Sequence, residues 1–310
     1  MNIVVLDALT LGDSDLSVFA TLGKFTSYDV TEQNQRVRHI AGNEVIVTNK
    51  VVIDEEIIKA NAQLKLICIA ATGTNNVDLV AAEKAGISVK NVAGYSTESV
   101  AQATIAMLLQ LNQHNRYYDQ YTLQQQWCDS PTFNHIDASF AELKGKKWGI
   151  IGFGAIGQRV AEIAQVFGCE LCYYSTSGKN SLQSIEQVDF ETLLSTCDFI
   201  SIHAPLNDQT KNLIDKKALL RLKDGAIILN LGRGGIIDEA AMAEVLDEKE
   251  IYHGTDVLAI EPMIKNHPYL SVQNKQRLVI TPHTAWASKE ARATLIGKVV
   301  GNIQSYQAGS

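Results

Sequence analysis

The chain lacks the features that would commit it to a membrane, a nucleic acid or a disulfide scaffold. No apolar run approaches the ~20 residues that a membrane-spanning helix needs. Basic residues are outnumbered, 27 Lys and Arg against 34 Asp and Glu. The net charge of -7 and pI near 5.5 leave no positive footprint for a polynucleotide or an anionic bilayer. Cysteines are few, odd in number and scattered (Cys68, Cys128, Cys169, Cys172, Cys197), so no disulfide framework is expected. Cys169 and Cys172 spell C-x-x-C, but the surrounding CELCYYS reads as a strand, where residues three apart point to opposite faces. That argues against a redox or zinc pair, and no metal site is expected. No internal repeat or low-complexity segment occurs. The opening NIVVLD (Asn2–Asp7) reads as a strand without a basic leader, so a cytoplasmic location is expected.

What is present is ordinary globular composition, 46% hydrophobic and 20% charged, over 310 residues, a length suited to two domains. The most informative stretch is 147–157, KWGIIGFGAIG. Apolar Trp148, Ile150, Ile151 and Phe153 accompany Gly152, Gly154 and Gly157, which have the spacing G-x-G-x-x-G, and residues 158–167 follow at helical period. Strand, tight turn and helix suit a dinucleotide. Gly152 permits the turn, Gly154 admits a pyrophosphate to the backbone, and Gly157 lets helix pack on strand. The helix start then presents its N–H groups and positive dipole end to phosphate. The same glycines also fit a βα turn without a ligand.

Before this stretch, strand-like IVVL, VIV, LKLICIAA and ISVKNV alternate with helix-compatible 54–61 and 77–85. Asp54 and Asn76 read as N-caps and Gly86 as a helix stop. Alternation of this kind implies a mainly parallel sheet with helices on both faces and ligands beyond the strands' carboxyl ends. LKLICIAA delivers Thr72, Gly73 and Thr74 to that edge, where backbone N–H groups suit a small carboxylate; an ordinary capped turn is the alternative. Residues 112–140 form a polar, aromatic arm of little periodicity, and its aromatics favour an interface between two copies of the chain.

After the glycine turn, strands recur near 170–174, 199–203, 226–231, 253–258 and 278–281, with helices at 190–195, 216–221 and 239–247 between them. The nucleotide domain is expected over 98–284, and 1–97 with 285–310 forms a second, substrate-binding domain. The acid expected ~20 residues beyond the glycine turn is replaced by Ser175, followed by Thr176 and, slightly later, Lys179. Serine neither binds ribose hydroxyls strongly nor repels a 2′-phosphate, so NAD and NADP both remain open, with NAD favoured. Arg233 lies between glycines after one strand, Glu261 follows the next and His283 the last. An arginine fork matches a carboxylate, and a carboxylate beside a histidine fixes its tautomer and favours imidazolium, as acid–base catalysis requires. A loop arginine, a turn glutamate and a surface histidine are the separate alternatives, but three on one sheet edge is a constellation. His203, in HAPL, also ends a strand.

The ordered set GFGAIG, HAPL with Thr210, NLGRGGIID, DVLAIEP and TPHTAWAS, with ATGTNNVD and NVAGYSTESVAQ upstream, resembles the D-2-hydroxyacid dehydrogenases, most of all the glycerate dehydrogenases or hydroxypyruvate reductases. The resemblance covers nearly the whole chain. It implies an α/β fold of two Rossmann- or flavodoxin-like, doubly wound parallel-sheet domains with a cleft between them, closing on their ligands, and a homodimer. It implies an NAD(P)-dependent enzyme that reversibly reduces a small 2-oxo acid of the hydroxypyruvate or glyoxylate type. By position, Arg233 would hold the substrate carboxylate and 2-oxo group, His283 would be the acid/base and Glu261 its partner. Thr72, Gly73 and Thr74 would add substrate contacts. Asp256 would meet the nicotinamide carboxamide. The rest of the cofactor set would be Thr97, Gly152, Gly154, Ala155, Ile156, Gly157, Ser175, Thr176, His203, Ala204, Pro205, Thr210, Leu231, Gly232 and Ala285. Two departures stand out: Ser175 for the usual acid, and Gln102 where many members carry glutamate. Formate dehydrogenases share the architecture but would carry glutamine at Glu261. A nucleotide-sensing corepressor on the same fold is the reading from another class; the chain shows no partner-binding tail or basic patch for it.

Overall fold

Short strands rich in β-branched residues, each followed by a helix, build two parallel sheets. The computed structural model describes residues 1–178 and 184–309, so Lys179 lies outside the described residues. Two units result, Met1–Ser96 with Ala287–Ser310, and Thr97–Trp286.

In the first unit, β1 (Asn2–Val5), β2 (Lys24–Ser27), β3 (Val45–Thr48), β4 (Leu66–Ile69) and β5 (Ser88–Lys90) lie in the order β2-β1-β3-β4-β5. Strands β3 and β4 are buried along their whole length, as parallel strands covered on both faces must be. Helices α1 (Arg36–Ile40), α2 (Glu55–Ala60) and α3 (Leu79–Lys84) accompany them, and Ile40, Ile57, Ile58 and Ala82 join Val4, Ile46 and Ile67 in one apolar cluster. Asp54 caps α2 as expected, accepting from the Ile57 N–H. Asn76 does not cap α3. An isolated parallel bridge between Ile53 and Val77 follows the turn that contains Asn76, so the helix starts later, and Asp78, in extended conformation, becomes the cap and accepts from the Ala81 N–H.

In the second unit, β6 (Lys147–Ile151), β7 (Glu170–Tyr174), β8 (Glu186–Gln187), β9 (Phe199–Ile202), β10 (Ile227–Asn230), β11 (Tyr252–Thr255) and β12 (Leu278–Ile280) pair in the order β12-β11-β10-β9-β6-β7-β8, all parallel. The order reverses between β6 and β9, which makes that crevice the topological switch point. Helices α4 (Thr97–Asn112) and α6 (Ala155–Val166) pack one face through Leu108, Leu111, Val160 and Ala164. Helices α7 (Phe190–Thr196), α8 (Lys216–Arg221) and α9 (Glu239–Glu248) pack the other through Leu193, Leu219 and Leu246. Buried side chains of this size each contribute about 1.5–3 kcal/mol.

The arm at 112–140 is more regular than its sequence suggested. It contains α5 (Asn115–Leu123), where Tyr117 and Tyr121 share a face. Tyr121 stacks on His135 at 3.8 Å between centroids, and the Tyr117 hydroxyl meets His135 Nε2 at 2.6 Å. The C-x-x-C residues part company: Cys169 Sγ donates to Leu143 O, whereas Cys172 Sγ lies 3.4 Å from Cys197 Sγ, both as free thiols. Beyond a short α10 (Pro268–Ser271), the chain ends in the first unit with α11 (Lys289–Gln307), which buries Leu295, Val299 and Ile303.

Candidate active site

Register places the site. Across five neighbouring strands of the second unit, Ile151, Ile202, Asn230, Thr255 and Ile280 form one row of successive partners. The chain therefore leaves the sheet at one level through Gly152, His203, Leu231, Asp256 and Thr281. Arg233 is the third residue past β10 and His283 the third past β12. With strands about 4.8 Å apart, the two emerge roughly 10 Å from each other on the same edge. Glu261 comes from the strand between them.

His283 Nδ1 lies 2.6 Å from Glu261 Oε2, and Glu261 Oε1 accepts from the Leu258 N–H at 2.9 Å. The carboxylate is thereby aimed by its own loop. His283 has φ +54°, the left-handed region that a non-glycine residue enters only when its surroundings impose it. Asp256 imposes it. Its backbone carbonyl accepts the His283 N–H at 2.9 Å, and its carboxylate accepts from Thr281 Oγ1, the Thr284 N–H and the Ala285 N–H. Burial raises the Asp256 carboxyl above its usual range while those donors pull it back. This holding of the histidine turn was not read from the sequence. Its signal is an aspartate at one strand end facing a run of amides at the next.

Arg233 is half-buried; its guanidinium donates to Gly232 O at 2.8 Å, and among the described residues no carboxylate pairs with it. Asn230 shapes its turn, accepting the Gly232 N–H and donating to Arg233 O. Gly234 is a close-approach glycine: a Cβ there would stand 1.9 Å from the carbonyl carbon of Leu258. The arginine turn therefore rests directly on the peptide that leads to Glu261.

Residues expected to hold a nucleotide gather at the switch point. Gly152 has φ +87°, and a Cβ on it would lie 2.6 Å from Ala204 N, so the β6 and β9 turns touch through backbone. A Cβ on Gly154 would meet nothing within 4 Å. Gly154 is also the N-cap of α6 and offers no side-chain cap, which leaves the amides of Ala155, Ile156 and Gly157 for an anion. Both ring nitrogens of His203 are buried without a partner among the described residues, and burial pushes its pKa down to about 3, so the ring is neutral and can donate and accept. Ala204 and Pro205 continue this turn. Thr210 is buried and closes it, donating to Pro205 O at 2.6 Å and accepting the Asn207 N–H. Ser175 and Thr176 follow β7, two strands from His203. Leu231 and Gly232 lie between β10 and Arg233. Thr97 opens α4, whose Ser99 hydroxyl donates to Ala285 O at 2.6 Å. An open glycine cradle, an uncapped helix start and an orphaned buried imidazole together fit a nicotinamide dinucleotide.

Thr72, Gly73 and Thr74 belong to the first unit. Thr72 Oγ1 donates to Val92 O, and Thr74 O accepts the Val77 N–H. The N–H groups of Gly73 and Thr74 donate to no acceptor among the described residues.

A doubly wound sheet with a phosphate-ready turn at its switch point and a histidine–carboxylate pair on the same edge defines a nicotinamide-dependent oxidoreductase. The sequence model described as "D-isomer specific 2-hydroxyacid dehydrogenase, NAD binding domain" matches residues 105–285. The hydroxypyruvate reductase of Blautia hydrogenotrophica is 34% identical, over 100% of this chain and 98% of that one. The glycerate dehydrogenase of Methylorubrum extorquens is also 34% identical, over 99% and 96%. Among solved structures, an acyclic imino acid reductase in complex with NADPH and D-Arg superposes with a TM-score of 0.85 at 27% identity, covering 100% of this chain and 98% of that one. The chain belongs to the D-isomer-specific 2-hydroxyacid dehydrogenase family. Among the described residues, no helix is long and apolar enough to cross a membrane.

Proposed function

We propose that the protein reduces a small 2-oxo acid of the hydroxypyruvate or glyoxylate type to the D-2-hydroxy acid, and runs the reverse reaction when the acid is supplied reduced. The observation that carries this reading is the 2.6 Å contact between His283 Nδ1 and Glu261 Oε2, one strand from a guanidinium with no carboxylate partner among the described residues. The names of the two full-length relatives support the substrate class.

The nicotinamide ring, when bound, supplies or takes the hydride at the substrate's second carbon. Arg233 holds the substrate carboxylate and polarises the 2-oxo group with its fork of N–H donors. Glu261 engages Nδ1 of His283, so Nε2 is the nitrogen presented to substrate. There it donates a proton to the oxygen as negative charge develops, and Glu261 stabilises the imidazolium that gives it. In the reverse direction neutral His283 takes the hydroxyl proton. The Thr72–Thr74 turn of the first unit joins the proposal as a carboxylate-binding element through its two unengaged amides.

Cofactor preference follows the end of β7. Ser175 carries no charge to repel a 2′-phosphate, so NADPH is tolerated; NADH is the proposed cofactor. We further propose a homodimer joined through the 112–140 arm, on which Leu123, Phe133, Ile136 and Phe140 are exposed, with Phe133 at 87%. The test is one spectrophotometric panel: purified protein, NADH or NADPH, and hydroxypyruvate, glyoxylate, pyruvate and phenylpyruvate. Fastest turnover on hydroxypyruvate or glyoxylate supports the reading. No oxidation of either cofactor with any acid overturns it and favours a nucleotide-sensing role. Light scattering on the same sample reads the oligomeric state.

A further inference from the structure

Glu239 is the first residue of α9, where an acidic side chain ordinarily faces the helix's own amides. Here that position is already served. Asp238 is the N-cap and accepts from both the Ala240 and Ala241 N–H groups. Glu239 turns elsewhere: Oε1 accepts the Ala259 N–H at 2.7 Å, and Oε2 meets His267 Nε2 at 2.9 Å. The proton on that contact is fixed, because His267 Nδ1 accepts the Tyr269 N–H and so Nε2 carries the hydrogen. His267 is only 3% exposed and Glu239 14%, so the carboxylate is held rather than swinging in solvent.

The loop that Glu239 grips buries little apolar surface of its own. Ala259, Ile260 and Glu261 are exposed, and Ile260 keeps 56% of its surface in water. Apolar burial therefore does not set its place. Two consecutive amides do: Leu258 N–H is bound by Glu261 and Ala259 N–H by Glu239. The same Leu258–Ala259 peptide lies against Gly234, next to Arg233.

We propose that Glu239 is a positioning residue for the acid/base pair, clamping the Leu258–Ala259 peptide so that the Glu261 carboxylate meets His283 Nδ1 and the Arg233 turn keeps its seat. His267 serves as the buried donor that holds the clamp. The inference rests on the proposed roles of His283, Glu261 and Arg233, and one of its readouts is independent of turnover.

The experiment compares wild type, Glu239→Ala, Glu239→Gln and His267→Asn. The short Nδ1–H contact of His283 should give a low-field proton resonance, assigned by its absence in His283→Gln. Glu239→Ala should lose or shift that resonance upfield. It should also lower kcat for the best acid of the panel about tenfold or more, as a small misplacement of reacting groups does, with NADH affinity by fluorescence titration within twofold of wild type. Glu239→Gln keeps an oxygen for the Ala259 N–H but sets its amide NH2 against the His267 N–H, so its kcat should fall by less than that of Glu239→Ala; His267→Asn should fall between wild type and Glu239→Ala. An unchanged resonance and kcat in Glu239→Ala overturns the proposal. So does an equal fall in Glu239→Ala and Glu239→Gln with the resonance retained, since that marks a general loss of stability. If Glu239→Ala does not fold, the resonance and kcat of His267→Asn decide: a shifted resonance with reduced kcat supports the clamp, and wild-type values overturn it. Should wild type reduce none of the acids while the resonance still depends on Glu239, the clamp stands and the proposed activity falls.

Discussion

His283 and Glu261 are 22 residues apart in the chain and meet at 2.6 Å between Nδ1 and Oε2. Parallel pairing of β11 with β12 brings their two loops to one edge, and Asp256 bends the second loop until the imidazole faces the carboxylate. General acid catalysis of this kind contributes about 10²–10⁴-fold. His283→Ala is expected to lose turnover on that scale while nucleotide affinity stays within twofold. Glu261→Gln keeps an acceptor oxygen but not the charge, and its kcat should fall by less than that of His283→Ala. Steady-state kinetics with cofactor titration checks both; wild-type kcat in His283→Ala would rule this residue out as the acid/base.

Arg233 makes a different prediction, because in the proposed mechanism it meets the substrate carboxylate, and among the described residues no carboxylate pairs with it. Arg233→Ala should leave cofactor affinity nearly intact and raise the barrier for hydroxypyruvate by about 2–5 kcal/mol, read as the fall in kcat/KM, since a substrate carboxylate is then left unpaired in the site. A variant with wild-type kcat/KM would remove Arg233 from the proposed mechanism.

Ser175 follows β7 at the place where an acid would select against a 2′-phosphate. Ser175→Asp is expected to lower kcat/KM for NADPH at least tenfold while that for NADH changes by less than threefold. The ratio of the two is the measurement. If it does not move, the second ribose does not lie at the end of β7.

Local signals carried much of this structure. The strand KWGII and the spacing of Gly152, Gly154 and Gly157 are readable because turn and helix follow within a few residues. The end of each parallel strand was likewise close to its apolar run, which is how Arg233, Glu261 and His283 could be picked out. Pairings set by register were harder. That Asp256 would grip 281–285 depends on β11 lying beside β12 with Thr255 opposite Ile280. Asn76 and Asp78 are equivalent cap acceptors two residues apart in the sequence, and only the bridge between Ile53 and Val77 chooses Asp78. Glu239 and His267 carry no comparable signal: neither sequence position announces a partner 28 residues away. In the arm, the i,i+4 spacing of Tyr117 and Tyr121 was a helical signal hidden among glutamines.

The second unit should also carry a pH dependence of stability unrelated to catalysis. His253 is fully buried on β11; its Nδ1 donates to Ile228 O at 3.0 Å, and Nε2 accepts from the Tyr269 hydroxyl at 3.2 Å. Burial depresses its pKa from 6.5 to about 4. Above pH 6.5 the ring is neutral whether the chain is folded or not, and its contribution to stability is complete. Between 6.5 and about 4 the unfolded chain binds a proton that the folded chain refuses. Stability then falls with decreasing pH by about 1.4 kcal/mol per unit for this group. His253→Leu removes that proton but leaves Tyr269 without its acceptor, a loss of about 1–3 kcal/mol at pH 7. The variant should therefore be less stable than wild type at pH 7, with the gap narrowing by about 2 kcal/mol on descent from pH 6.5 to 5. All three tryptophans, Trp127, Trp148 and Trp286, lie in this unit, so urea denaturation followed by tryptophan fluorescence reports on it directly. A gap of constant size across that range would mean that His253 takes its proton without unfolding.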